Sequence, residues 1–147
     1  MSQTVALNNG VQAIIHNDVS KIFIRDNRYE SADYTNSDEY DPVTLTAGTL
    51  LGRVHASGKV VPLTSGASDG SQFPVGILKQ TVTVEEGDTR EVTFCVAGDV
   101  AEGKIIFQGS DTLETVVSSR RLRDRIAADT VGIKLVPSTE LTEDDND

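Results

Sequence analysis

Residues 49–63 read T-L-L-G-R-V-H-A-S-G-K-V-V-P-L, and this stretch carries the strongest fold signal in the chain. Two short apolar runs, Thr49–Val54 and Lys59–Leu63, flank the polar tetrapeptide H-A-S-G. Apolar runs joined by a short loop that contains glycine are typical of a β-hairpin. Gly58 can adopt the positive φ that such a turn needs, so the stretch predicts two antiparallel strands joined close to this residue.

The same pattern continues towards the C-terminus. Val75–Leu78 follows a loop rich in Gly, Ser and Asp, and Thr81–Val84 and Glu91–Val96 flank the tetrapeptide E-E-G-D, which predicts a second hairpin. Side chains alternate along a strand, so the later strand is expected to have two different faces. One face would carry Val92, Phe94 and Val96, and the other would carry Thr93 and Cys95.

One segment predicts a helix. Ser118–Thr130 begins with serine, a frequent N-cap residue, and places Leu122 and Ile126 four residues apart on one face. Gly132 is expected to end the helix before a closing strand over Ile133–Val136.

The intervening residues complete the fold prediction. Gly98 and Gly103 bracket a predicted turn, which leads to a strand over Lys104–Phe107. The predicted fold is mainly β: a small antiparallel β-sandwich or barrel-like domain with one helix in the C-terminal half of the chain. Only seven residues are aromatic (3 Tyr, 4 Phe and no Trp), so few large side chains are available to stabilise the core. Self-association is therefore expected to add stability.

Composition narrows the class of protein. The chain has 147 residues with 13 Lys and Arg against 23 Asp and Glu, a net charge of −10. Because no surplus of cations is available to replace counterions on phosphates, we expect no nucleic-acid partner. No run of 18 apolar residues is present and the N-terminus lacks the features of a secretory signal, so we expect no membrane partner and synthesis in the cytoplasm.

Charge and polarity divide the chain into three regions. Residues 1–41 are predicted to be a flexible N-terminal arm, residues 42–137 a β-rich domain, and residues 138–147 a disordered acidic tail. The acids of the tail lack the spacing and the glycine of a calcium-binding loop, so no metal site is expected there.

The arm holds all three tyrosines of the chain, Tyr29, Tyr34 and Tyr40. Tyrosine concentrated in a polar segment is common in contact surfaces, because it supplies area at a low cost in side-chain entropy. An ordinary strand and loop whose tyrosines pack on the domain itself would have the same composition. Both interpretations are open at this point.

Residues 66–70 read G-A-S-D-G and match the G-x-S-x-G pattern of a nucleophile elbow. An elbow serine lies between a strand and a helix, and its histidine follows it in the chain. Both histidines, His16 and His55, precede Ser68, and the next element is a predicted strand. The pattern therefore indicates a glycine turn, and we predict no catalytic residue, no cofactor and no enzyme activity.

Cys95 and a cluster of arginines do not indicate a catalytic or metal-binding site. Cys95 is the single cysteine, which excludes a disulfide within the chain and a cysteine-based zinc cluster. The basic cluster in the predicted helix indicates a solvated face or an interface with acidic groups of a partner. Its members are Arg120, Arg121, Arg123 and Arg125.

The stretch from Ala47 to Val136 resembles the tailed-phage head decoration proteins, the family of the bacteriophage lambda decoration protein. The resemblance lies in A-G-T-L-L-G (47–52), K-V-V-P-L (59–63), A-S-D-G (67–70) and P-V-G-I-L (74–78), followed in the same order by the V-T-V…E-V-T-F segment, the G-D-V turn, the R-L-R-D-R-I-A helix and G-I-K-L-V. The shared order of these short motifs is more specific than any one of them.

The resemblance implies a structural role in the virion. Members of the family bind the outer surface of the expanded capsid as trimers at local threefold positions, and they stabilise it against the pressure of packaged DNA. It implies the major capsid protein as partner and an N-terminal arm that pairs with capsid backbone. The expected contact residues of the arm are Ile22, Phe23, Ile24, Arg25, Arg28, Tyr29, Tyr34 and Tyr40.

Two alternatives remain open. One is a minor capsid or head-fibre protein, because the longer segment before Ala47 and the acidic tail depart from the lambda pattern. The other is a β-rich adaptor or carrier domain that presents Lys59 at its hairpin, although carrier domains have a different residue before the lysine and no terminal helix.

Overall fold

A computed structural model of the chain describes residues 21–137. The first twenty residues of the predicted arm and the acidic tail from residue 138 lie outside this range. The strands are β1 (Phe23–Thr35), β2 (Val43–Leu45), β3 (Leu50–Arg53), β4 (Val60–Pro62), β5 (Pro74–Leu78), β6 (Val82–Val84), β7 (Thr89–Ala101), β8 (Val116–Val117), β9 (Arg120–Arg121) and β10 (Gly132–Val136). A 3-10 turn covers Glu102–Lys104, and the helix α1 covers Leu122–Asp129.

One large sheet organises the domain. Its strand order is β10-β7-β5-β3-β4, and β1 pairs with the remaining edge of the long strand β7. The pairing of β10 with β7 is parallel and the other pairings in the sheet are antiparallel. Within residues 21–137 the edge strands β1 and β4 do not pair, so the sheet does not close into a barrel. The predicted fold class, mainly β and antiparallel with one helix, is confirmed.

The sheet buries apolar side chains on both faces, which creates two cores. The helix-side core contains Leu50, Leu63, Ile77, Cys95, Val100, Ile105, Leu113, Val117, Leu122, Ile126 and Ile133. The ribbon-side core lies under the two-stranded β2–β6 ribbon and contains Tyr34, Leu45, Leu51, Val60, Leu78, Val84, Val92, Phe94 and Val96. The predicted alternation in β7 is therefore confirmed: Val92, Phe94 and Val96 share one core, and Cys95 lies in the other.

An irregularity in β7 changes which face its side chains meet. Val96 lies in the ribbon-side core, but Val100, four residues later, lies in the helix-side core. Gly98 has a φ of 105° and the ladder with β1 shifts register between Arg25 and Tyr29. One extra residue in a strand reverses the facing of all that follow. The predicted turn at Gly98 is therefore wrong: the glycine lies in the irregular part of the β1–β7 ladder, the strand continues to Ala101, and only Glu102–Lys104 turns.

The second predicted hairpin is also wrong in its pairing. The strand positions are close to those observed, but Val82–Val84 pairs with Val43–Leu45, and Thr89–Ala101 pairs with Phe23–Thr35. The E-E-G-D loop allows the chain to pass from one layer to the other. The strand predicted over Lys104–Phe107 is reduced to a single bridge between Thr49 and Ile106.

The helix is shorter than predicted. It begins at Leu122, and its N-cap is Arg121 without a side-chain cap, so the serine N-cap prediction is wrong. Residues 116–121 instead form a hairpin of β8 and β9. The apolar face of the helix was predicted correctly, because Leu122 and Ile126 are fully buried.

Residues from the predicted arm form part of the large sheet. The strand Phe23–Thr35 pairs with β7 along most of its length. The buried Asn36 follows it, and the Nδ2 of Asn36 donates hydrogen bonds to the carbonyl oxygens of Asp41 (2.9 Å) and Val84 (3.0 Å). The chain from residue 23 onwards is therefore integrated into the β domain, and a separate arm would have to lie before it.

Candidate capsid-contact surface

The start of β1 and the residue before it pack on the helix-side core. Ile22 and Phe23 are half-buried against that core, and the Phe23 ring meets the Tyr29 ring edge-on at a centroid distance of 5.8 Å. Tyr29 remains 37% exposed, and the Nζ of Lys79 lies 4.6 Å from its ring centroid. Burial raises the pKa of the Tyr29 hydroxyl, and the neighbouring Cys95 raises it further. These aromatic rings and Lys79 form a small surface that can contact a partner.

The arginines of the predicted contact set are exposed. The Nε of Arg25 lies 2.8 Å from a carboxylate oxygen of Asp99, and the Arg25 side chain is 63% exposed. Such an exposed ion pair stabilises the fold by at most about 1 kcal/mol. Arg28 is exposed as well, and Ile24, the residue before Arg25, is half-buried.

The structure does not bring the three tyrosines together. Tyr29 is paired with Cys95 and lies on the helix side of the sheet, whereas Tyr34 is 8% exposed inside the ribbon-side core. Burial raises the pKa of the Tyr34 hydroxyl. Tyr40 is 81% exposed in the loop after β1. For Tyr34 the interpretation as a residue that packs on its own domain is correct, while Tyr29 and Tyr40 remain available for contact.

A groove that the sequence did not reveal runs between the edge strands β1 and β4. It has a volume of about 580 Å³ and an open mouth. Tyr34 and Thr35 line it from β1, Val61 and Pro62 line it from β4, and Phe107 lies along it. All of its lining side chains are uncharged, although a quarter of the chain (24%) is charged. No local motif marks the groove, because its walls come from distant parts of the sequence.

The G-x-S-x-G pattern lies between two strands, so it does not join a strand to a helix as a nucleophile elbow does. Ser68 lies exposed in the loop between β4 and β5, and it is Ser71 whose hydroxyl donates a 2.6 Å hydrogen bond to the Asp69 carboxylate. Hydrogen bonds from Ser71 lower the pKa of Asp69. Gly70 has a φ of 105° and lies against the ring of His55. The interpretation as a glycine turn is correct for this segment.

Of the other titratable candidates, Cys95 lies in the helix-side core. Cys95 is buried, its Sγ donates to the carbonyl oxygen of Ala97 at 3.1 Å, and burial raises the pKa of the thiol. Lys59 is half-buried at the end of the first hairpin. His16 lies outside the described residues. Within residues 21–137, no group of three His, Cys, Asp or Glu side chains could hold a metal ion.

The arginines of the C-terminal half are mostly paired with acids of the same chain. Arg123 lies 3.2 Å from Glu102 and 3.1 Å from Glu114, and Arg121 lies 2.9 Å from Glu114. The hydrogen bond from Arg123 is the main cause that lowers the pKa of Glu114. Hydrogen bonds to Glu102 and Glu114 in turn raise the pKa of Arg123. Arg125 pairs with Asp129 at 3.2 Å.

None of the helices in residues 21–137 is long and apolar enough to cross a membrane.

The sequence matches a known protein family. No curated relative matches the chain. A family model described as bacteriophage lambda head decoration protein D matches residues 32–119, which is more than half of the 147 residues. The matched range begins within β1 and ends at the tip of the β8–β9 hairpin. The chain therefore belongs to the family of bacteriophage lambda head decoration protein D.

Proposed function

We propose that this protein binds the outer surface of the expanded phage capsid as a trimer at local threefold positions and stabilises the shell against packaged DNA. The observation that carries the proposal is the family match over residues 32–119, which spans most of the large sheet. A structural role is consistent with the contacts of Cys95, Asp69 and Arg123, which make hydrogen bonds or ion pairs within the domain.

The first strand supports the proposed capsid contact. In the described range β1 pairs only with β7, so it leaves one edge open to strand addition. Phe23, Tyr29 and the exposed arginines Arg25 and Arg28 lie along the same strand. A strand that is already folded binds without the ordering cost of about 1–2 kcal/mol per residue that a disordered arm would have to overcome.

The uncharged groove supports the proposed self-association. Chains of like net charge repel each other, so a subunit contact between copies with a net charge of −10 is favoured where charges are absent. The groove between β1 and β4 meets that condition, and Ile106 beside it is 40% exposed. We assign this region to the neighbouring subunit of the trimer.

Copy number in purified virions tests the proposal. We expect near parity between this chain and the major capsid protein, as a trimer at every threefold position requires. A few copies per head would instead support the minor capsid or head-fibre alternative. An intact mass with a modification on Lys59 would support the carrier alternative.

A binding experiment tests the arm. DNA-filled heads that lack this chain should be mixed with the full protein and with a variant that lacks residues 1–20, and their resistance to heat measured by DNA release. The deletion has to end before Phe23, because β1 belongs to the sheet. Because β1 carries the proposed contact, we expect the truncated variant to keep both its thermal unfolding temperature and most of its stabilising effect on heads. Loss of protection with an unchanged unfolding temperature would contradict β1 as the main contact and would assign the capsid role to residues 1–20.

A further inference from the structure

The hairpin of β8 and β9 has an unusual tip. Val117 pairs with Arg120, so Ser118 and Ser119 form a two-residue turn, and their φ values are 48° and 76°. Positive φ at both central residues is the geometry of a type I′ turn, which strongly favours Asn-Gly. A left-handed conformation costs about 1–2 kcal/mol for a residue with a Cβ. Two adjacent serines in it mean that the rest of the fold enforces this turn.

Arg125 of α1 enforces the turn. Its Nε donates to the carbonyl oxygen of Val117 at 2.6 Å, and one terminal nitrogen donates to the carbonyl oxygen of Ser118 at 2.8 Å. The other terminal nitrogen pairs with Asp129 at 3.2 Å, and the guanidinium lies 4.7 Å from the centroid of the Phe73 ring. The Arg125 side chain is only 13% exposed. A largely buried arginine is thus used to fix the backbone of an exposed loop.

The tip presents one apolar and one cationic side chain. Val116 is 61% exposed, which is high for a β-branched residue in a strand. Arg120 is exposed, and within the described residues it forms no ion pair, whereas its neighbours Arg121 and Arg123 are paired with Glu114. Strain that the surrounding fold maintains at an exposed position is a basis for a hypothesis of function. An unneutralised cation in a chain with a net charge of −10 points to an acidic partner.

The geometry also constrains the shape of the partner. Val116 is paired with Arg121 and Val117 with Arg120, so Val116 and Arg120 lie on opposite faces of the hairpin. A flat surface could contact only one of these faces. Because Val117, which shares a face with Arg120, is buried in the helix-side core, a partner meets that face only at the exposed Arg120. A partner that contacts both Arg120 and Val116 therefore has to receive the end of the hairpin in a cleft.

We propose that the tip of the β8–β9 hairpin is a preformed wedge that enters a cleft on a capsid subunit, where a carboxylate pairs with Arg120 and an apolar wall contacts Val116. This inference rests on the proposed function, capsid binding, and adds a contact site that lies apart in sequence from the arm. Because Arg125 holds the tip in its bound shape beforehand, binding requires little further ordering of the loop.

Two single variants test the wedge. In Arg120→Glu the charge is reversed, and in Val116→Thr the shape of the side chain is kept while a methyl group becomes a hydroxyl. Lys134→Glu is the matched control, because Lys134 is an exposed cation in β10 and undergoes the same charge change. The probe is a preparation of expanded heads that lack this chain, and bound protein is measured by co-sedimentation over a range of salt concentrations.

We expect Arg120→Glu to weaken binding at least tenfold, because it puts like charges together at the contact. The tenfold loss should shrink as salt is raised from about 0.05 to 0.5 M, since screening weakens this repulsion. Val116→Thr should weaken binding severalfold at every salt concentration. Arg120→Lys should retain most of the affinity, and Lys134→Glu all of it. Thermal unfolding should be the same for the variants at Arg120 and Val116. Lys134→Glu places a glutamate opposite Asp99 in the ladder, so it should unfold at a slightly lower temperature and is compared at a temperature where it is fully folded.

The outcomes separate the wedge from the proposed function. If the unaltered protein does not bind heads, capsid binding itself is wrong. If it binds and both variants bind equally well, the wedge is wrong and capsid binding stands. If Arg120→Glu changes the molar mass of the protein in solution, the tip contacts a second copy of this chain, which also overturns the wedge.

Discussion

The hairpin between β3 and β4 and the hairpin between β8 and β9 reach positive φ by different means. In the first, Gly58 has a φ of 75°, and a Cβ built on it would meet no atom within 4 Å. In the second, Ser118 and Ser119 have φ values of 48° and 76°, and Arg125 holds the adjacent carbonyl groups. The first turn is encoded by its own residues, and the second is imposed by a side chain on the following helix. Local sequence is therefore a good guide to the first turn and a poor guide to the second.

At a third position, Gly98, we expect substitution to cause the largest loss of stability. Gly98 has a positive φ, as Gly58 does, and it also lies against the backbone of a distant segment. It has a φ of 105°, and a Cβ would lie 2.6 Å from the carbonyl oxygen of Asp26 and 2.7 Å from the Cα of Asn27. Gly98→Ala should therefore lower the free energy of unfolding by about 3 kcal/mol or more. Urea unfolding followed by circular dichroism measures the loss. A change below about 1 kcal/mol would show that the bulge with β1 can rearrange without cost.

Arg125 is expected to have the next largest effect. Arg125→Ala removes two hydrogen bonds to carbonyl oxygens, the ion pair with Asp129 and the contact with the Phe73 ring, so stability should fall by about 2–3 kcal/mol. Arg125→Lys keeps the charge but cannot hold both carbonyl groups in one plane, and it should lose more than half as much. Arg121→Ala is the control, because its side chain is 52% exposed and should cost less than about 0.5 kcal/mol. Equal losses for the two alanine variants would contradict the role of Arg125 as a clamp, that is, as the side chain that fixes the turn of the β8–β9 hairpin.

The two hairpins should respond to substitution at their tips with opposite signs. Replacing Ser118 with Asn and Ser119 with Gly relieves two strained residues and should raise the unfolding free energy by about 1 kcal/mol. Gly58→Ala introduces strain with no steric contact and should lower it by about 1 kcal/mol. Differential scanning calorimetry on both variants measures the two shifts. Destabilisation by the Asn-Gly pair would mean that the serine side chains contribute more than their backbone strain costs.

The distinction between local sequence and distant contacts also explains how much of the fold could be predicted from the sequence. The first hairpin, the alternating faces of β7 and the buried face of α1 follow from patterns within a few residues, and all were predicted correctly. The partner of Val82–Val84 could not be predicted, because E-E-G-D favours a turn but does not specify which strand the next segment meets. The turn prediction at Gly98 is wrong because a glycine inside an irregular strand and a glycine in a turn look alike in sequence.

The residues of the candidate contact surface also fall into two groups: those that local sequence predicts and those that depend on tertiary structure. The extended character of β1 and the exposure of Arg25, Arg28 and Tyr40 could be anticipated from polar composition. That Tyr34 faces a core could not, because the burial of Tyr34 depends on the β2–β6 ribbon packing over it. The groove between β1 and β4 and the clamp by Arg125 are also products of tertiary structure. Residues that act through distant contacts leave no periodic pattern in the sequence.

The smallest effect we expect concerns Glu114, which ties the second hairpin to the helix through Arg121 and Arg123. These contacts hold the pKa of Glu114 below its usual value of 4.5. A carboxyl whose pKa is lower in the folded than in the unfolded state stabilises the fold above the unfolded value, and that contribution is lost as the pH falls through the folded value. Glu114→Gln should thus be less stable than the unaltered protein at pH 7, and the difference should disappear as the pH falls from about 5 to 3.

Unfolding temperatures at pH 7, 5, 4 and 3 measure this convergence, which should be small because the Glu114 side chain is 54% exposed. High salt should reduce the difference at pH 7, since both arginines are partly exposed as well. Glu86→Gln, an exposed glutamate in the loop between β6 and β7, is the matched control and should track the unaltered protein at every pH. If Glu114→Gln shows a constant difference across the pH range, the charge of Glu114 is not what links the hairpin to the helix. The β8–β9 hairpin would then be held by Arg125 and by the burial of Val117 in the helix-side core.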